Sequence, residues 1–309
     1  MNRLSHKKIL KDFFLILKKW TGRDLNPRPP PCQGQKVSKD KLSEYLEIIK
    51  LKGISDSHLQ LVKRYLKRYL SYTNHTISKS KSISYFAYIK DKHSVSSYRK
   101  EVYQILKFLR HLEVTWTNEI QLPAEPVYYP KHVSKDDIIR TLKYFENNEY
   151  KLRFNAIIHL GIDTGMRAEE LYQLLISDID FDNRCICINH NPNNGQSTKT
   201  KQSRVSFFTE YTKQVLNEYL TYFNDKNNLT TLFPKRWMEG KFKDTPIRVK
   251  HLRKFFSQEW DRRGGPTSIK KILMGHSMKG DVDLMHYNYQ SEEDLKKIYD
   301  KVMNTENKI

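Results

Sequence analysis

The sequence predicts a mostly α-helical protein of two domains with a small antiparallel sheet. Apolar residues recur at helical spacing through most of the chain. Residues 113–132 hold three prolines and no helical period, which predicts a connector between two helical regions. Residues 184–208 alternate apolar side chains around an Asn-Asn-Gly sequence, which is typical of a β-hairpin. At 309 residues, the chain has room for two domains that each bury a core.

The N-terminal segment, residues 1–37, is predicted to be a helix followed by a linker. Residues 2–19 place their apolar side chains on one broad side of a basic helix. Residues 20–36 are rich in proline and glycine and cannot be helical throughout. We expect no signal peptide, because the helix has no small-residue cleavage site. We also expect no membrane span, because no apolar run in the chain approaches the roughly 20 residues required.

Residues 38–112 are predicted to form a helical domain. Polar breaks divide this segment into four helical patterns, at about 39–51, 55–72, 82–91 and 94–112. Ser38 and Ser55 stand where helix N-caps belong, because their hydroxyls can accept from free backbone N–H groups. Gly53 follows the first helix, where a left-handed residue commonly ends one.

Positive charge is spread along the whole chain and predicts a nucleic-acid partner. Lysine and arginine number 55 against 35 acidic residues, a formal net charge of +20. Positive charges distributed in this way can replace the counterions bound to a nucleic-acid backbone. An RNA-binding protein or a membrane-surface protein would have the same excess of positive charge. The second helix of the domain concentrates four cations: Lys63, Arg64, Lys67 and Arg68. Because nearly all its charges have one sign, a phosphate-facing surface is favoured at least as much as an ordinary solvated face.

The C-terminal domain, residues 133–309, is predicted to begin with a capping box from Ser134 to Asp137 and to be mostly helical around the hairpin. Cys185 and Cys187 alternate with isoleucines in the hairpin, which places both thiols on one face and predicts that they are buried. The three cysteines of the chain form no CxxC pair, and we expect a reducing cytosol and no metal site.

Three segments of this domain have side chains suited to chemistry. In TGMRAEEL, Gly165 predicts a helix stop, and Arg167 opens the next helix, where free backbone N–H groups favour an anion. Glu170 lies one turn further and can hold the guanidinium in position. An ordinary surface Arg–Glu pair would also explain this octapeptide.

The second segment is VKHLRKFF, residues 249–256. Lys250 and Arg253 are one helical turn apart and project from one face, while Leu252 and the two phenylalanines provide a buried side. Two cations on one face repel unless an anion lies between them. A basic surface helix is the alternative.

The third segment, residues 273–290, places Gly275-His276 ahead of Tyr287 and Tyr289. Taken in chain order, the elements are an arginine after a Thr-Gly stop, a hairpin lysine, a basic pair on a helix, a Gly-His and a tyrosine. This order resembles the catalytic half of the tyrosine recombinase family, which includes phage integrases and Xer-type resolvases. The four-helix segment resembles that family's core-binding domain, so the resemblance covers about residues 38–303.

The resemblance implies a catalytic role for each matching residue. Arg167 matches the family's first arginine, with Glu170 supporting it. Lys199, in the hairpin's TKT sequence, matches the hairpin lysine, with Lys201 as the alternative. Arg253 matches the second arginine.

The remaining matches include one departure from the family's pattern. Lys250 stands three residues before Arg253, where the family has histidine, and His251 is one position out of register. A Lys-x-x-Arg version is expected in archaeal virus and plasmid integrases of the fusellovirus type. His276 matches the histidine of the family's Leu-Gly-His element.

Tyr287 is the expected nucleophile, and Tyr289 is close enough to compete with it. Leu295 and Ile298 fall where the family has the apolar face of its C-terminal helix, which favours Tyr287. The resemblance further implies that residues beyond about 290 form a helix that packs on a neighbouring subunit.

The implied reaction is cleavage and rejoining of DNA through a 3′-phosphotyrosyl bond. Arg167 and Arg253 would offset charge that builds on the phosphate oxygens, and Lys199 would protonate the leaving 5′ oxygen. Lys250 and His276 would hydrogen-bond the transition state or handle the tyrosine proton. Neither ATP, a metal nor another cofactor is implied.

The implied assembly is a homotetramer on two double-stranded DNA attachment sites in the host cytoplasm, each subunit a two-domain C-shaped clamp. Whether the tyrosine cuts in its own subunit's site or a partner's stays open. Two alternatives remain: a type IB topoisomerase, which uses the same constellation, and a DNA-binding protein that has lost catalysis.

Residues 22–29, GRDLNPRP, suggest a hypothesis at the level of codons. Asp-Leu-Asn can be encoded GAT-TTG-AAC, whose complement GTTCAAATC is close to the T-arm sequence of tRNA genes. Integrases of the fusellovirus type have their attachment site near the start of the integrase gene, as a copy of a tRNA gene's 3′ part. We therefore hypothesise that this stretch is an attachment site. A plain proline-rich linker is the alternative.

Overall fold

The computed structural model describes Gly34 and residues 36–224, 231–277 and 290–304. The predicted helix at 2–19, the codon-level attachment segment, and both candidate nucleophiles, Tyr287 and Tyr289, lie outside the described residues. The chain divides into two compact units, Met1–Tyr129 and Pro130–Ile309.

The described part of the first unit contains four α-helices. Serine side chains accept hydrogen bonds from backbone N–H groups at the N-termini of all four, which confirms the caps predicted at Ser38 and Ser55. Gly53 has a φ of +67°, as expected past a helix end. The four helices are Lys39–Lys50 (α1), Asp56–Tyr72 (α2), Lys79–Lys92 (α3) and Val95–His111 (α4).

The helices of the first unit bury a core of aliphatic and aromatic side chains, including Leu66 and Phe108. The chain after α4 was expected to lack helical structure, but residues Thr115–Glu119 form a short 3-10 helix. Trp116 accounts for the difference, because its apolar ring is buried in the core and holds this stretch against the helices.

The second unit is mostly helical and contains a three-stranded antiparallel sheet, which confirms the predicted fold class. The capping box from Ser134 to Asp137 is present. Its helices are Lys135–Tyr144 (α5), Lys151–Thr164 (α6), Ala168–Tyr172 (α7), Glu210–Asn224 (α8), Lys235–Lys241 (α9), Val249–Arg262 (α10), Thr267–Met274 (α11) and Glu292–Met303 (α12). Its strands are Ile179–Asp180 (β1), Cys185–Ile188 (β2) and Arg204–Phe207 (β3).

Strands β2 and β3 form the predicted hairpin, with Ile188 opposite Arg204 and Cys185 opposite Phe207. The Asn-Asn-Gly turn is also present, since Gly195 takes the left-handed conformation at a φ of +75°. Strand β1, only two residues long, was not predicted and adds a third strand on the other side of β2.

The prediction that both hairpin cysteines are buried is wrong for one of them. Cys185 is 2% exposed and packs in a cluster with residues of helix α12, whereas Cys187 is exposed. The two thiols share one side of the strand, but helix α12 covers that side near Cys185, where Glu292 accepts from the thiol at 3.1 Å.

Helix α12 packs against residues of its own unit, and its packing on a neighbouring subunit stays a prediction. Leu295 and Tyr299 are buried, and Ile298 packs against the same cluster, which confirms the apolar face predicted from Leu295 and Ile298. The Tyr299 hydroxyl donates to the carbonyl of Asp163, and Nη2 of Arg184 donates to both carboxylate oxygens of Asp300, at 2.9 and 2.8 Å. The apolar face of the helix is therefore already covered within the chain.

Candidate functional site

The site begins where helix α6 ends at Gly165. This glycine has a φ of +61°, and a Cβ there would lie 2.3 Å from Cδ1 of Phe256 on α10, so only glycine fits without displacement. The stop turns the chain so that Arg167 becomes the N-cap residue of the short helix α7. The placement of Arg167 after the stop agrees with the geometry expected from the sequence.

Glu170 holds Arg167 from one turn away. Its Oε1 accepts from Nη1 of Arg167 at 2.8 Å, and its Oε2 accepts from the Arg167 backbone N–H at 2.8 Å. The carboxylate side chain is only 2% exposed. Burial by itself would raise the pKa of Glu170, but hydrogen bonds and charge from Arg204 and Arg167 outweigh burial and lower it. Glu170 is therefore a buried anion that orients cations.

Arg253 reaches the same place from helix α10. Its Nη1 donates to the carbonyl oxygens of Gly165 and Met274, each at 2.8 Å. Burial, together with repulsion from Arg167, lowers the pKa of Arg253 to about 10. The guanidinium therefore remains charged at neutral pH, in surroundings where a bound anion would relieve the repulsion between the two arginines.

His276 enters the cluster through the turn that ends helix α11. Gly275 has a φ of +63°, and its carbonyl oxygen accepts from Nη2 of Arg167 at 2.9 Å. Desolvation and the charges of four nearby cations lower the pKa of His276; these cations are Arg253, Arg167, Lys270 and Arg204. The lowered pKa favours the neutral imidazole, and a neutral imidazole has one ring nitrogen that can accept a proton.

Arg204 was not among the residues predicted for this site, and the structure places it at the centre of the cluster. Its side chain is 8% exposed and forks onto Glu170 at 3.1 and 2.6 Å. Its Nε donates to the carbonyl of Leu273 at 2.9 Å. The available signal was a charged residue opening an apolar strand, in the stretch RVSFF.

The remaining predicted site residues are not part of this cluster. Lys199 and Lys201 lie exposed in the hairpin loop, where Lys201 takes a φ of +57°. Lys250 is exposed at the first turn of α10. His251 accepts from the backbone N–H of Arg248 at 3.1 Å and so caps its own helix, which agrees with its being out of register with the site.

In the first unit, Lys63 and Lys67 lie on a different side of helix α2 from Arg68, and Arg64 is exposed. Lys63 and Lys67 line a groove of about 710 Å³ between α1 and α2, together with Leu46 and Leu59. Arg68 instead forks onto Glu101 of α4, with Nε at 3.0 Å from Oε1 and Nη2 in contact with Oε2. The Glu101 side chain is 2% exposed, so Arg68 neutralises a buried charge.

Within the described ranges, no cluster of three or more histidine, cysteine, aspartate or glutamate side chains could hold a metal ion. No helix among the described residues is long and apolar enough to cross a membrane.

The cluster combines three arginines with one carboxylate. Arg167, Arg204 and Arg253 supply three positive charges against the single negative charge of Glu170. A net positive, partly desolvated site with fixed guanidinium donors stabilises an anion whose charge increases as it reacts, such as a phosphodiester under attack.

Comparisons with known proteins agree with this chemistry. Residues 131–279 match the phage integrase family. Over 208 residues, the chain is 30% identical to the tyrosine recombinase XerA of Saccharolobus solfataricus, covering 66% of this chain and 67% of that one.

Two solved structures share the fold. A lambda integrase dimer bound to a COC′ core site has a TM-score of 0.61 at 13% identity, covering 82% of this chain and 98% of that one. The Tn1549 transposon integrase in complex with transposon right end DNA has a TM-score of 0.58 at 15% identity, covering 86% and 99%. The chain therefore belongs to the tyrosine recombinase (phage integrase) family of DNA strand-transferases.

Proposed function

We propose that this protein is a site-specific integrase that cleaves and rejoins duplex DNA through a 3′-phosphotyrosyl bond to Tyr287. The observation that supports the proposal most directly is the meeting of Arg167 and Arg253 at two adjoining turns. Arg253 donates to Gly165 and Met274, and Arg167 donates to Gly275. Both guanidiniums are thus fixed beside His276, as charge stabilisation of one scissile phosphate requires.

In the proposed cleavage step, the phenolic oxygen of Tyr287 attacks phosphorus, and the bond from phosphorus to the 5′ oxygen breaks. Neutral His276 takes the phenolic proton, while Lys199, with Lys201 as the alternative, protonates the leaving 5′ oxygen. Lys250 donates a hydrogen bond to the pentacovalent transition state. Rejoining is the reverse, with a 5′ hydroxyl attacking the phosphotyrosine, so no external energy source is consumed.

The proposed DNA contacts extend to the first unit. Lys63, Arg64 and Lys67 bind phosphates, and Arg68 contributes through its remaining Nη1, since Glu101 accepts from Nε and Nη2. Four copies would assemble on two attachment sites in the host cytoplasm. Solved relatives described as bound to a core site or to transposon end DNA support DNA as the partner.

The proposed biological role is integration of an archaeal viral or plasmid element of the fusellovirus type into a tRNA gene. The codons permitted for residues 22–29 support this role, because their complement is close to a T-arm sequence. Integration would then split the gene within these codons. Sequencing both junctions of an integrated copy tests this: junctions elsewhere in the gene, or outside it, would contradict the proposed attachment site.

The central test uses a nicked duplex carrying GTTCAAATC, incubated without metal or ATP and analysed on a denaturing gel. We expect a covalent protein–DNA adduct with the wild type and with Tyr289→Phe, and none with Tyr287→Phe. Loss with Tyr289→Phe alone would move the nucleophile to that residue. Tight binding without an adduct on this and unrelated DNA would indicate a catalytically inactive DNA-binding protein.

A type IB topoisomerase, the other enzyme considered, is not favoured by the comparisons, which are with recombinases and integrases. It would relax supercoiled plasmid without sequence preference. A plasmid relaxation assay, with and without the T-arm sequence, distinguishes the two enzymes.

A further inference from the structure

We propose that Arg204 is a positioning residue that sets both the first catalytic arginine, Arg167, and the turn presenting His276. The inference rests on the proposed function and deepens it. Arg204 opens strand β3 of the hairpin, three residues beyond Lys201. Its contacts join three parts of the site that are far apart in sequence.

The first connection runs through Glu170. Both oxygens of this carboxylate accept from Arg204, at 3.1 and 2.6 Å, and both also accept from Arg167, through its side chain and its backbone N–H, each at 2.8 Å. Arg204 therefore fixes the plane of the carboxylate that in turn fixes Arg167. A carboxylate held by one arginine alone could rotate about its last side-chain bonds.

The second connection runs to the end of helix α11. Nε of Arg204 donates to Leu273 at 2.9 Å, two residues before Gly275. A Cβ on Gly275 would lie 2.7 Å from Cδ of Arg204, so the arginine packs directly beneath the turn. Arg204 thereby supports the backbone from which His276 projects.

Burial distinguishes this role from catalysis. The Arg204 side chain is 8% exposed, against 21% for Arg167, and the fork and Nε are already used within the protein. Little of its surface is therefore accessible to a phosphate, and it acts through the groups that it hydrogen-bonds, Glu170 and the carbonyl of Leu273. Lysine has the same charge but no planar fork, so it cannot make the contacts to Glu170 and Leu273 together.

The test compares Arg204→Lys and Arg204→Met with wild type in the adduct assay on the nicked T-arm duplex. We expect Arg204→Lys to slow adduct formation roughly 100-fold, the size of effect that a small misplacement of catalytic groups can produce. DNA binding should be unchanged. The matched control is Arg153→Lys, because Arg153 is also half-buried and donates to a tyrosine hydroxyl, but at the opposite end of helix α6.

A second substrate separates positioning from general structural damage. Replacing one non-bridging oxygen of the scissile phosphate by methyl removes the phosphate's negative charge, so cleavage depends less on Arg167. If Arg204 acts through Arg167, we expect the defect of Arg204→Lys to shrink on the methylphosphonate, and the defect of Arg167→Lys to shrink with it. An equal defect on both substrates would overturn the proposal.

A measurement that does not depend on cleavage distinguishes failure of the positioning role from failure of the proposed function. NMR titration of the His276 ring is expected to show a higher pKa in Arg204→Met. The cations that face the ring are Arg253, Arg167, Lys270 and Arg204, and this variant removes only Arg204. If wild type forms no adduct but this shift occurs, Arg204 faces His276 and the proposed function is wrong. If wild type forms adduct and both variants match it in rate, the positioning role is wrong.

Folding is controlled with the double variant Arg204→Met/Glu170→Gln, which removes both buried charges at once. We expect it to fold, by circular dichroism and thermal melting, and to form adduct no faster than Arg204→Met. Recovery of the wild-type rate in a folded double variant would overturn the proposal.

Discussion

Nη1 of Arg253 lies 2.8 Å from the carbonyl oxygen of Gly165, the residue that ends helix α6 immediately before the Arg167 turn. One glycine therefore serves both arginines, since it turns the chain for the first and accepts a hydrogen bond from the second. Phe256 of α10 packs against the same glycine, so helix packing and site geometry depend on each other.

Gly165→Ala is expected to lower the free energy of unfolding by about 2–4 kcal/mol, because a left-handed φ and a steric clash add together. The matched control is Gly195→Ala, which has a φ of +75° but no atom within 4 Å of the added Cβ. Only the left-handed cost of about 1–2 kcal/mol should remain there. Urea unfolding of both variants measures the difference, and equal losses would show that the contact with Phe256 is unimportant.

Glu170→Gln should destabilise the protein strongly and abolish adduct formation, because two buried guanidiniums would then repel without a counter-charge. Removing one partner of a buried pair typically costs about 3–5 kcal/mol. The neighbouring Glu169 is half-exposed and pairs with Lys235 at the surface, so Glu169→Gln should cost only about 0–1 kcal/mol. Thermal melts and the adduct assay on both variants check this, and a normal rate in Glu170→Gln would exclude the orienting role of Glu170.

His159 should make stability depend on pH. Burial lowers its pKa below the value of about 6.5 that it has in the unfolded chain, with Asp163 opposing the effect. The unfolded state therefore binds more protons in acid, and the free energy of unfolding falls as the pH drops below about 6.5. We expect His159→Asn to reduce this fall between pH 7 and 5, measured by urea unfolding. The exposed His132→Asn should leave it unchanged, and an identical slope in all three proteins would assign the dependence elsewhere.

Lys67→Gln should weaken DNA binding about equally for all sequences and reduce the slope of log binding constant against log salt by about 0.9. Filter binding from low to moderate salt measures both quantities. Lys52→Gln, in the turn after α1, is the control, and the same loss there would mean that overall charge matters more than this helix face.

Arg68→Gln should differ from both lysine variants, because it leaves the buried Glu101 without its ion pair. It should lower the free energy of unfolding by about 1–3 kcal/mol.

Much of the local structure could be predicted from the sequence. Ser38 and Ser55 begin helices because a hydroxyl before an apolar-periodic run can accept from free N–H groups. Gly165 ends a helix because its backbone tolerates a positive φ. These effects act within a few residues, so the pattern itself contains the information. The turn placing Arg167 and the pairing with Glu170, one helical turn away, belong to the same class.

Contacts between distant segments were decided only by the tertiary structure. Arg204 lies 34 residues beyond Glu170 in the chain, and a single arginine opening a strand has no periodicity that would identify its partner. Cys185 and Cys187 have the same pattern but different burial, because helix α12 covers one and not the other. The docking of α12 on its own unit likewise depends on the surface that the rest of the fold presents. Local hydrogen bonding and periodicity thus determined the elements, whereas burial and charge pairing across the chain decided which side chains meet.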